Sequence, residues 1–190
     1  MQRIAETIKS VPIPAIGPDW HRRILLGCWS ARYMPYRIQY LSRYPVTLIC
    51  VDLTYARQFF QVPGISFNVN QKILMGPLGR GFLEDVQAAR RQVLLWTVNE
   101  PTFMRWGIRH QVDGIITDDP ALYKQIREEW EKEHREGSPA SQDPASDQLS
   151  FPQRFQILLT TFFVVVFGWY LRRKYHLTVE RIHFEERKLE

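Results

Sequence analysis

The chain has 190 residues, of which 45% are hydrophobic and 24% are charged, and its formal net charge is +5. A chain of this length has room for one domain with a substantial apolar core, and its composition is typical of neither disordered nor fibrous proteins. The basic residues are spread along the sequence rather than clustered, which disfavours nucleic acid as a partner.

The N-terminal segment predicts a helix, because Ile4, Ile8 and Val11 recur at helical spacing. The segment lacks the continuous apolar stretch of a signal peptide. Since the helical pattern starts at the first residues, we expect the sequence to begin inside an element of a larger fold.

Five short runs rich in β-branched and aliphatic residues follow. Most are almost continuously apolar, which favours strands of a parallel sheet that is covered on both faces. Helical patterns of crossover length lie between several of them, so the sequence predicts an α/β domain. The predicted strands are 24–29, 46–51, 65–69, 93–98 and 112–116, and the helical patterns are 35–43, 81–91 and 100–110.

Two further features of this part of the chain concern cysteines and glycines. Cys28 and Cys50 lie inside predicted strands without metal-ligand spacing, so we expect buried, reduced thiols. The glycine-rich stretch 76–81 follows no clear strand at the spacing of a phosphate-binding loop, and we interpret it as a loop. His21 and His110 do not cluster in the sequence. No nucleophile elbow or zinc motif occurs.

The sequence after the last predicted strand changes character twice. A helix over 121–137 begins apolar and ends as a charged, solvated rod. Residues 137–153 are rich in Ser, Pro, Asp and Ala without periodicity, which indicates a flexible linker.

A continuous apolar segment, 155–171, contains seventeen uncharged residues. At about 1.5 Å per residue it would extend about 26 Å as a helix, slightly less than the roughly 30 Å hydrocarbon core. Trp169 and Tyr170 lie beside a basic cluster, as in an interfacial belt. We predict a membrane helix over 154–174, either spanning or shallow, and a charged tail over 175–190. The alternative is a buried core helix.

Polar and aromatic residues follow the predicted strands, where parallel α/β proteins bind ligands. Aromatic rings and amides at such positions suit a polyol or sugar-like group. Each residue also has a structural interpretation: Asp119 and Asn99 as helix caps, and Trp29 and Trp96 as core. The residues are Trp29, Ser30, Asp52, Thr54, Asn68, Asn70, Trp96, Thr97, Asn99, Thr117, Asp118 and Asp119.

The stretch LLWTVNEPTFMRWGIRHQVDGIITDDP resembles the end of the glycerophosphodiester phosphodiesterase domain, where a W-T-V-N strand tip precedes a helix and a closing V-D-G-I-I-T-D-x-P strand. RRILLGCWS, VTLICVDLT and GISFNVNQKILMGPLGRGF look like the fungal branch. The apolar C-terminal segment is similar to that of fungal phosphatidylglycerol phospholipase C enzymes. The resemblance covers most of residues 1–136.

This resemblance implies a (β/α)8 barrel that cleaves a glycerol-linked phosphodiester with a divalent metal, Mg²⁺ or Ca²⁺. The family's catalytic histidines come from H-R-G and H-D motifs, and its metal carboxylates come from E-x-D and E-x-K motifs. None of the four occurs here, so the sequence predicts no catalytic residue and no metal ligand. With the strand-tip pattern it predicts substrate contacts at Trp96, Ser30, Trp29 and Asn99, and a barrel-rim residue at Asp118.

We therefore expect an α/β fold comprising a partial TIM (β/α)8 barrel, about strands 5–8, over residues 1–136, with a membrane-anchor helix. The expected function is that of a fragment of a membrane-bound hydrolase of glycerophosphodiesters or glycerophospholipids, inactive by itself. The expected location is the surface of the endoplasmic reticulum, mitochondria or lipid droplets. The alternatives are a complete flavodoxin-like sheet and a non-catalytic, tail-anchored scaffold.

Overall fold

A parallel β-sheet forms the centre of the computed structural model, which describes residues 1–13, 17–135 and 149–175. All five predicted strands are confirmed. Four are shorter than their apolar runs by one to three residues, and β3 is one residue longer than predicted. The ends of the runs continue into the loops at the two edges of the sheet. The strands are β1 (Leu26–Cys28), β2 (Val46–Cys50), β3 (Ile65–Asn70), β4 (Val93–Trp96) and β5 (Gly114–Ile115).

The strands are hydrogen-bonded in the order β1-β2-β3-β4-β5, and every pair is parallel. A flavodoxin-like sheet has the order 2-1-3-4-5, so that alternative is wrong. Sequential parallel order is the arrangement of a (β/α)8 barrel.

Helices connect successive strands, and those predicted from periodicity are confirmed. Three helices of four or five residues are not predicted because they are too short for an apolar period to show: Trp20–Arg23, Leu53–Arg57 and Gln71–Met75. The helices are α1 (Gln2–Ser10), α2 (Trp20–Arg23), α3 (Met34–Leu41), α4 (Leu53–Arg57), α5 (Gln71–Met75), α6 (Gly79–Ala88), α7 (Pro101–Arg109), α8 (Pro120–Arg135) and α9 (Phe151–Tyr175).

The two faces of the sheet differ in character. Phe67 is fully buried on the face that packs against the helices, and its ring contacts the ring of Phe82 in α6. Asn68 alternates to the opposite face, where its strand partner is Leu94. Cys28 and Cys50 are buried free thiols, as predicted. The helix-covered face is therefore the hydrophobic core of the domain.

The glycine-rich stretch is only partly a loop, because α6 already begins at Gly79. A Cβ atom at Gly79 would lie 1.7 Å from the carbonyl oxygen of Leu74. The turn from α5 into α6 therefore needs a residue without a side chain at this position, and this close approach explains one of the three glycines in 76–81.

The amino edge of the sheet, where the strands begin, is fastened by one arginine. The Arg91 guanidinium donates hydrogen bonds to the carbonyls of Phe59, Phe60, Val62 and Ile65 at 2.7–3.3 Å. This clamp fixes the turn that leads into β3.

Two more contacts at the amino edge join neighbouring elements. The Asp113 carboxylate accepts a hydrogen bond from the backbone N–H of Val93 at 2.7 Å, which ties the start of β5 to the start of β4. Gln87 of α6 donates to the carbonyl of His110, and the His110 ring stacks on Trp106 with the ring centroids 4.0 Å apart.

The C-terminal helix α9 packs against α5. Ile157 is 4% exposed and Thr161 is 8% exposed, so one stripe of α9 is buried in the domain. The segment after the predicted linker therefore contacts the domain along one side. Residues 151–153, predicted as linker, belong to α9, while the rest of the predicted linker up to residue 148 and the tail from 176 to 190 lie outside the described residues.

Candidate functional site

The carboxyl ends of the five strands meet along one edge of the sheet, which is where parallel α/β proteins bind ligands. Side chains predicted as site residues follow β1, β4 and β5 at this carboxyl edge. The structure therefore brings the predicted residues to one side of the molecule.

Trp29 and Trp96 contact each other at this edge. Their rings meet edge to face, with centroids 5.5 Å apart and an interplanar angle of 76°. The Trp96 indole N–H donates to the Asn68 carbonyl at 3.0 Å, which fixes its orientation. Trp29 is 57% exposed, so its interpretation as core is wrong, and Trp96 is half-buried. The tryptophan pair, Trp29 and Trp96, forms an aromatic surface that faces solvent.

Ser30 lies directly beside this pair and has a local structural role. Its hydroxyl accepts a 3.4 Å hydrogen bond from the N–H of Arg32, at the start of a 3-10 turn. The neighbouring Tyr55 hydroxyl accepts the N–H of Ala31 at 2.9 Å. Burial raises the pKa of Tyr55, against the smaller opposing effects of its hydrogen bonds with Ala31 and Ser30. Ser30 thus joins the end of β1 to α4.

Asn99 ties the tips of β4 and β5 together. Its amide donates to the Asp118 carboxylate at 2.7 Å, and its side-chain oxygen accepts from the Asp118 N–H at 3.0 Å and from the Thr117 hydroxyl at 3.1 Å. No side chain caps the start of α7, so the interpretation of Asn99 as a helix cap is wrong. Asp118 belongs to this network at the carboxyl edge, and its role as a barrel-rim residue stays a prediction.

Asp119 caps a helix, as its structural interpretation proposed. Its carboxylate accepts the N–H of Leu122 at 2.9 Å, and α8 begins at the next residue, Pro120. Asp52 plays the same part for α4, accepting the N–H groups of Thr54 and Tyr55. Both carboxylates serve the backbone at the starts of their helices.

Among residues 1–13, 17–135 and 149–175, no three His, Cys, Asp or Glu side chains lie close enough together to hold a metal ion. His21 lies in α2 just before β1, and His110 lies between α7 and β5, so both are at the amino edge. Neither imidazole reaches the carboxyl edge, and no metal-dependent step is assigned to this chain.

A cavity of about 400 Å³ lies between α9 and the carboxyl ends of β1 and β2. Burial raises the pKa of one lining thiol, Cys50, to about 12, so this group is a neutral thiol at physiological pH. We call the cavity the α9 cleft. Its lining residues are Trp29, Ile49, Cys50, Val51, Asp52, Tyr55, Phe163, Val164, Phe167, Gly168 and Leu171.

The sequence did not reveal the α9 cleft, although one signal was present. Thr161, Val164 and Gly168 are small or polar residues at spacings of three and four, which places them on one stripe of the helix. Such a stripe permits close helix packing. Tyr55 was also missed, because nothing in a single sequence indicates that its hydroxyl reaches back to β1.

A model of the glycerophosphoryl diester phosphodiesterase family matches residues 9–122. Among solved structures, the chain is similar to a candidate glycerophosphoryl diester phosphodiesterase from Silicibacter pomeroyi DSS-3, with 18% identity and a TM-score of 0.51 over 58% of this chain and 40% of that one. A glycerophosphodiester phosphodiesterase from Parabacteroides distasonis ATCC 8503 gives 18% identity and a TM-score of 0.49 over 58% of this chain and 45% of that one. No curated protein matched.

The chain therefore spans about two fifths of the length of the first solved structure. The region matched by the family model contains all five strands and the tryptophan pair, and it ends at residue 122, before α9 begins at Phe151. The α9 cleft thus combines residues inside and outside the matched region.

Proposed function

Because the chain belongs to the glycerophosphoryl diester phosphodiesterase family, we propose that it supplies the second half of the barrel of a membrane-attached phosphoric diester hydrolase. Its substrates are glycerophosphodiesters or glycerophospholipids, with phosphatidylglycerol suggested by the sequence resemblance. The observation that carries the proposal is the run of five sequential parallel strands that places the tryptophan pair at their carboxyl edge.

The geometry of the tryptophan pair supports a curved, barrel-like sheet. β1 and β4 are separated by two strands, so in a flat sheet their axes would lie about 14 Å apart at roughly 4.8 Å per strand. Contact between Trp29 and Trp96 at 5.5 Å is favoured when the sheet curves around this face. If β5 corresponds to the eighth barrel strand, β1 corresponds to the fourth, one strand earlier than the strands 5–8 that were expected from the resemblance.

The proposed role of this half is substrate binding. The exposed face of the tryptophan pair offers an apolar platform for the carbon atoms of a glycerol group, and Ser30 and Asn99 offer polar atoms beside it. The described residues provide neither a metal cluster nor a histidine at the carboxyl edge. We therefore place the catalytic histidines and the divalent metal of the family on the other half of the barrel.

The proposed membrane attachment rests on α9. Residues Phe151–Leu171 form a helix that is long and apolar enough to cross a bilayer by length and composition. Only a narrow stripe of the helix is buried, and Phe155, Leu158 and Phe162 are all more than half exposed. A lipid environment accounts for this exposed apolar surface better than water does.

The test is complementation. The purified chain and a family barrel half that carries the H-R-G and E-x-D motifs are assayed separately and together, with phosphatidylglycerol vesicles and a soluble glycerophosphodiester as substrates. We expect hydrolysis only from the combination, and we expect a chelator to abolish it.

Hydrolysis by the chain alone would contradict the proposal that the catalytic histidines and the metal lie on the other half of the barrel. If the two halves assemble without hydrolysing either substrate, the second candidate, a non-catalytic tail-anchored scaffold, is favoured. The absence of a metal cluster among the described residues is the observation that supports this second candidate.

A further inference from the structure

Helix α9 exposes many of its large apolar side chains. A helix that only packs on a domain would bury them. The buried stripe of α9 is made of modest side chains, including Ile157, Thr161 and Gly168, while large apolar side chains point outward. Phe162 is 62% exposed on this outer face. In water such a surface is costly, but against hydrocarbon it is stable.

The contact between α9 and the domain is close at one point. A Cβ atom at Gly76 would lie 2.5 Å from the Thr161 hydroxyl, so the Thr161 side chain packs directly on the Gly76 backbone. Seven residues further along, at Gly168, the helix lines the α9 cleft instead. One helix therefore has three surfaces: a docked stripe, a bare outer face and a cleft wall.

The α9 cleft has the size and lining of a ligand site. Its volume of about 400 Å³ lies within the roughly 300 to 1,000 Å³ of small-molecule sites. Aliphatic and aromatic side chains dominate the lining, and the carboxylate of Asp52 is occupied by the backbone of α4. Trp29 belongs both to this lining and to the tryptophan pair. A ligand in the cleft would thus reach the tryptophan pair at the carboxyl edge, where we propose that substrate binds.

Cations lie close in the sequence to residues that line the cleft, and a cation can pair with a phosphate. Arg32 lies close enough to Tyr55, a lining residue, to affect its pKa electrostatically. Arg173 and Lys174 follow Leu171, the last lining residue of α9, and stand over the rings of Trp169 and Tyr170. An apolar chain in the cleft with a negatively charged group at its mouth matches this arrangement.

We propose that the α9 cleft holds one acyl chain of a bilayer glycerophospholipid, with its phosphate near these cations and its glycerol at the tryptophan pair. This inference rests on the proposed function and deepens it. It makes α9 a wall of the substrate site as well as an anchor. It also favours a helix lying along the membrane surface, because a span would strip the docked stripe from α5.

The experiment uses the full chain reconstituted in phosphatidylcholine vesicles that contain phosphatidylglycerol with a photoactivatable diazirine in one acyl chain. After illumination, labelled residues are mapped by mass spectrometry. Labels on the outer face, at Phe162, report membrane contact. Labels on Trp29 and Tyr55, beneath α9, report occupancy of the cleft.

The test variant is Val164→Phe, which adds a ring inside the cleft, and its matched control is Val165→Phe, which adds the same ring on the outer face. We expect Val164→Phe to lower labelling of Trp29 and Tyr55 about tenfold, because the added ring displaces several methylenes. Labelling at Phe162 is unchanged in both variants. Leu171→Trp, another filling substitution, provides a second variant if the first one fails to fold.

Three outcomes overturn the inference. If the wild type is labelled at Phe162 but not at Trp29 or Tyr55, the cleft does not hold lipid, while the proposed membrane attachment stands. If Val164→Phe and Leu171→Trp fold but keep full labelling beneath α9, the labels do not come from the cleft. If no residue is labelled, the membrane attachment in the proposed function fails together with the inference.

Discussion

The amino and carboxyl edges of the sheet differ in the side chains that they expose to solvent. At the amino edge, Arg91 serves four carbonyls and Asp113 holds a strand N–H, so polar groups there fasten the fold. Buried side-chain atoms without a hydrogen-bond partner among the described residues occur towards both edges, in Arg37 and Thr47 as well as in Asn68 and Gln71. The exposed ring of Trp29, by contrast, lies at the carboxyl edge. Polar contacts stabilise both edges, and the exposed tryptophan pair distinguishes the carboxyl edge.

Unpartnered buried atoms and an exposed ring both have a physical cost. A buried polar atom without a partner loses about 1 to 3 kcal/mol relative to a satisfied one. An exposed tryptophan ring also contributes less to the free energy of folding than a buried ring does, because its apolar surface stays in water. Departures from stable packing of this kind are expected at functional sites. The same substitution should therefore have different consequences at the two edges.

The largest expected effect is at the amino edge. Arg91→Ala removes the donor for four carbonyls, and we expect it to lower the free energy of unfolding by about 3 kcal/mol. Thermal unfolding followed by circular dichroism in mild detergent measures the change. The neighbouring exposed Arg90→Ala serves as the control and should change it by less than about 0.5 kcal/mol. If both substitutions change the free energy of unfolding equally, the hydrogen bonds of Arg91 do not stabilise the turn before β3.

The next effect concerns the docking of α9 near the carboxyl edge. Gly76→Ala places a Cβ atom 2.5 Å from the Thr161 hydroxyl, and we expect a loss of about 2 kcal/mol from the contact between α5 and α9. Hydrogen exchange of α9 amides should rise. Thr161→Ala in the same chain removes the clashing hydroxyl and should restore most of the protection. Unchanged exchange in Gly76→Ala would show that α9 does not dock there.

A pH-dependent effect of intermediate size is expected from Cys50. Burial raises its pKa from 9.0 to about 12. The unfolded chain releases the thiol proton near pH 9 while the folded chain retains it. The resulting stabilisation is therefore complete below about pH 9 and is lost as the pH rises towards 12.

Relative to Cys50→Ala, the wild type should lose at most about 1.4 kcal/mol per pH unit in that range. Thermal unfolding of both chains between about pH 8 and pH 10.5 measures the difference. Parallel pH dependence of the two chains would show that Cys50 is not buried as described.

The smallest expected effect is at the tips of β4 and β5. Asn99→Ala removes three exposed hydrogen bonds to Thr117 and Asp118, and we expect it to cost about 1 kcal/mol of stability. Thr97→Ala, at an exposed neighbouring position, is the control. A double-mutant cycle with Asp118→Ala should show coupling between the two tips. If the stability losses of the two substitutions simply add, the hydrogen bonds of Asn99 do not hold the tips of β4 and β5 together.

Much of the fold could be predicted from the sequence, because continuous apolar runs mark buried parallel strands. The five runs correspond to the five strands, and the helical periods correspond to the longer helices. The sheet order needed the structure, since apolar runs do not say which strands pair. Short elements such as α4 also lay below the length at which a period is visible.

The candidate site could be predicted only in outline. The strand-tip rule brought Trp29, Trp96 and Asn99 to one edge, but it could not distinguish an exposed ring from a core ring. The bonds of Asn99 to Asp118 cross between two strand tips, and their partners depend on the sheet register. The docking of α9 was missed because an all-apolar segment after a presumed linker shows no amphipathic face.

The most direct test compares the same substitution at the two edges of the complemented enzyme. Trp96→Ala, at the carboxyl edge, should lower kcat/KM for phosphatidylglycerol by an amount equivalent to about 1 to 3 kcal/mol, the scale of an aromatic stacking contact. Trp106→Ala, at the amino edge, removes the stacking on His110 and should lower Tm while kcat/KM stays near the wild-type value. A Trp96→Ala enzyme that loses Tm but keeps its kcat/KM would contradict the assignment of the carboxyl edge to substrate.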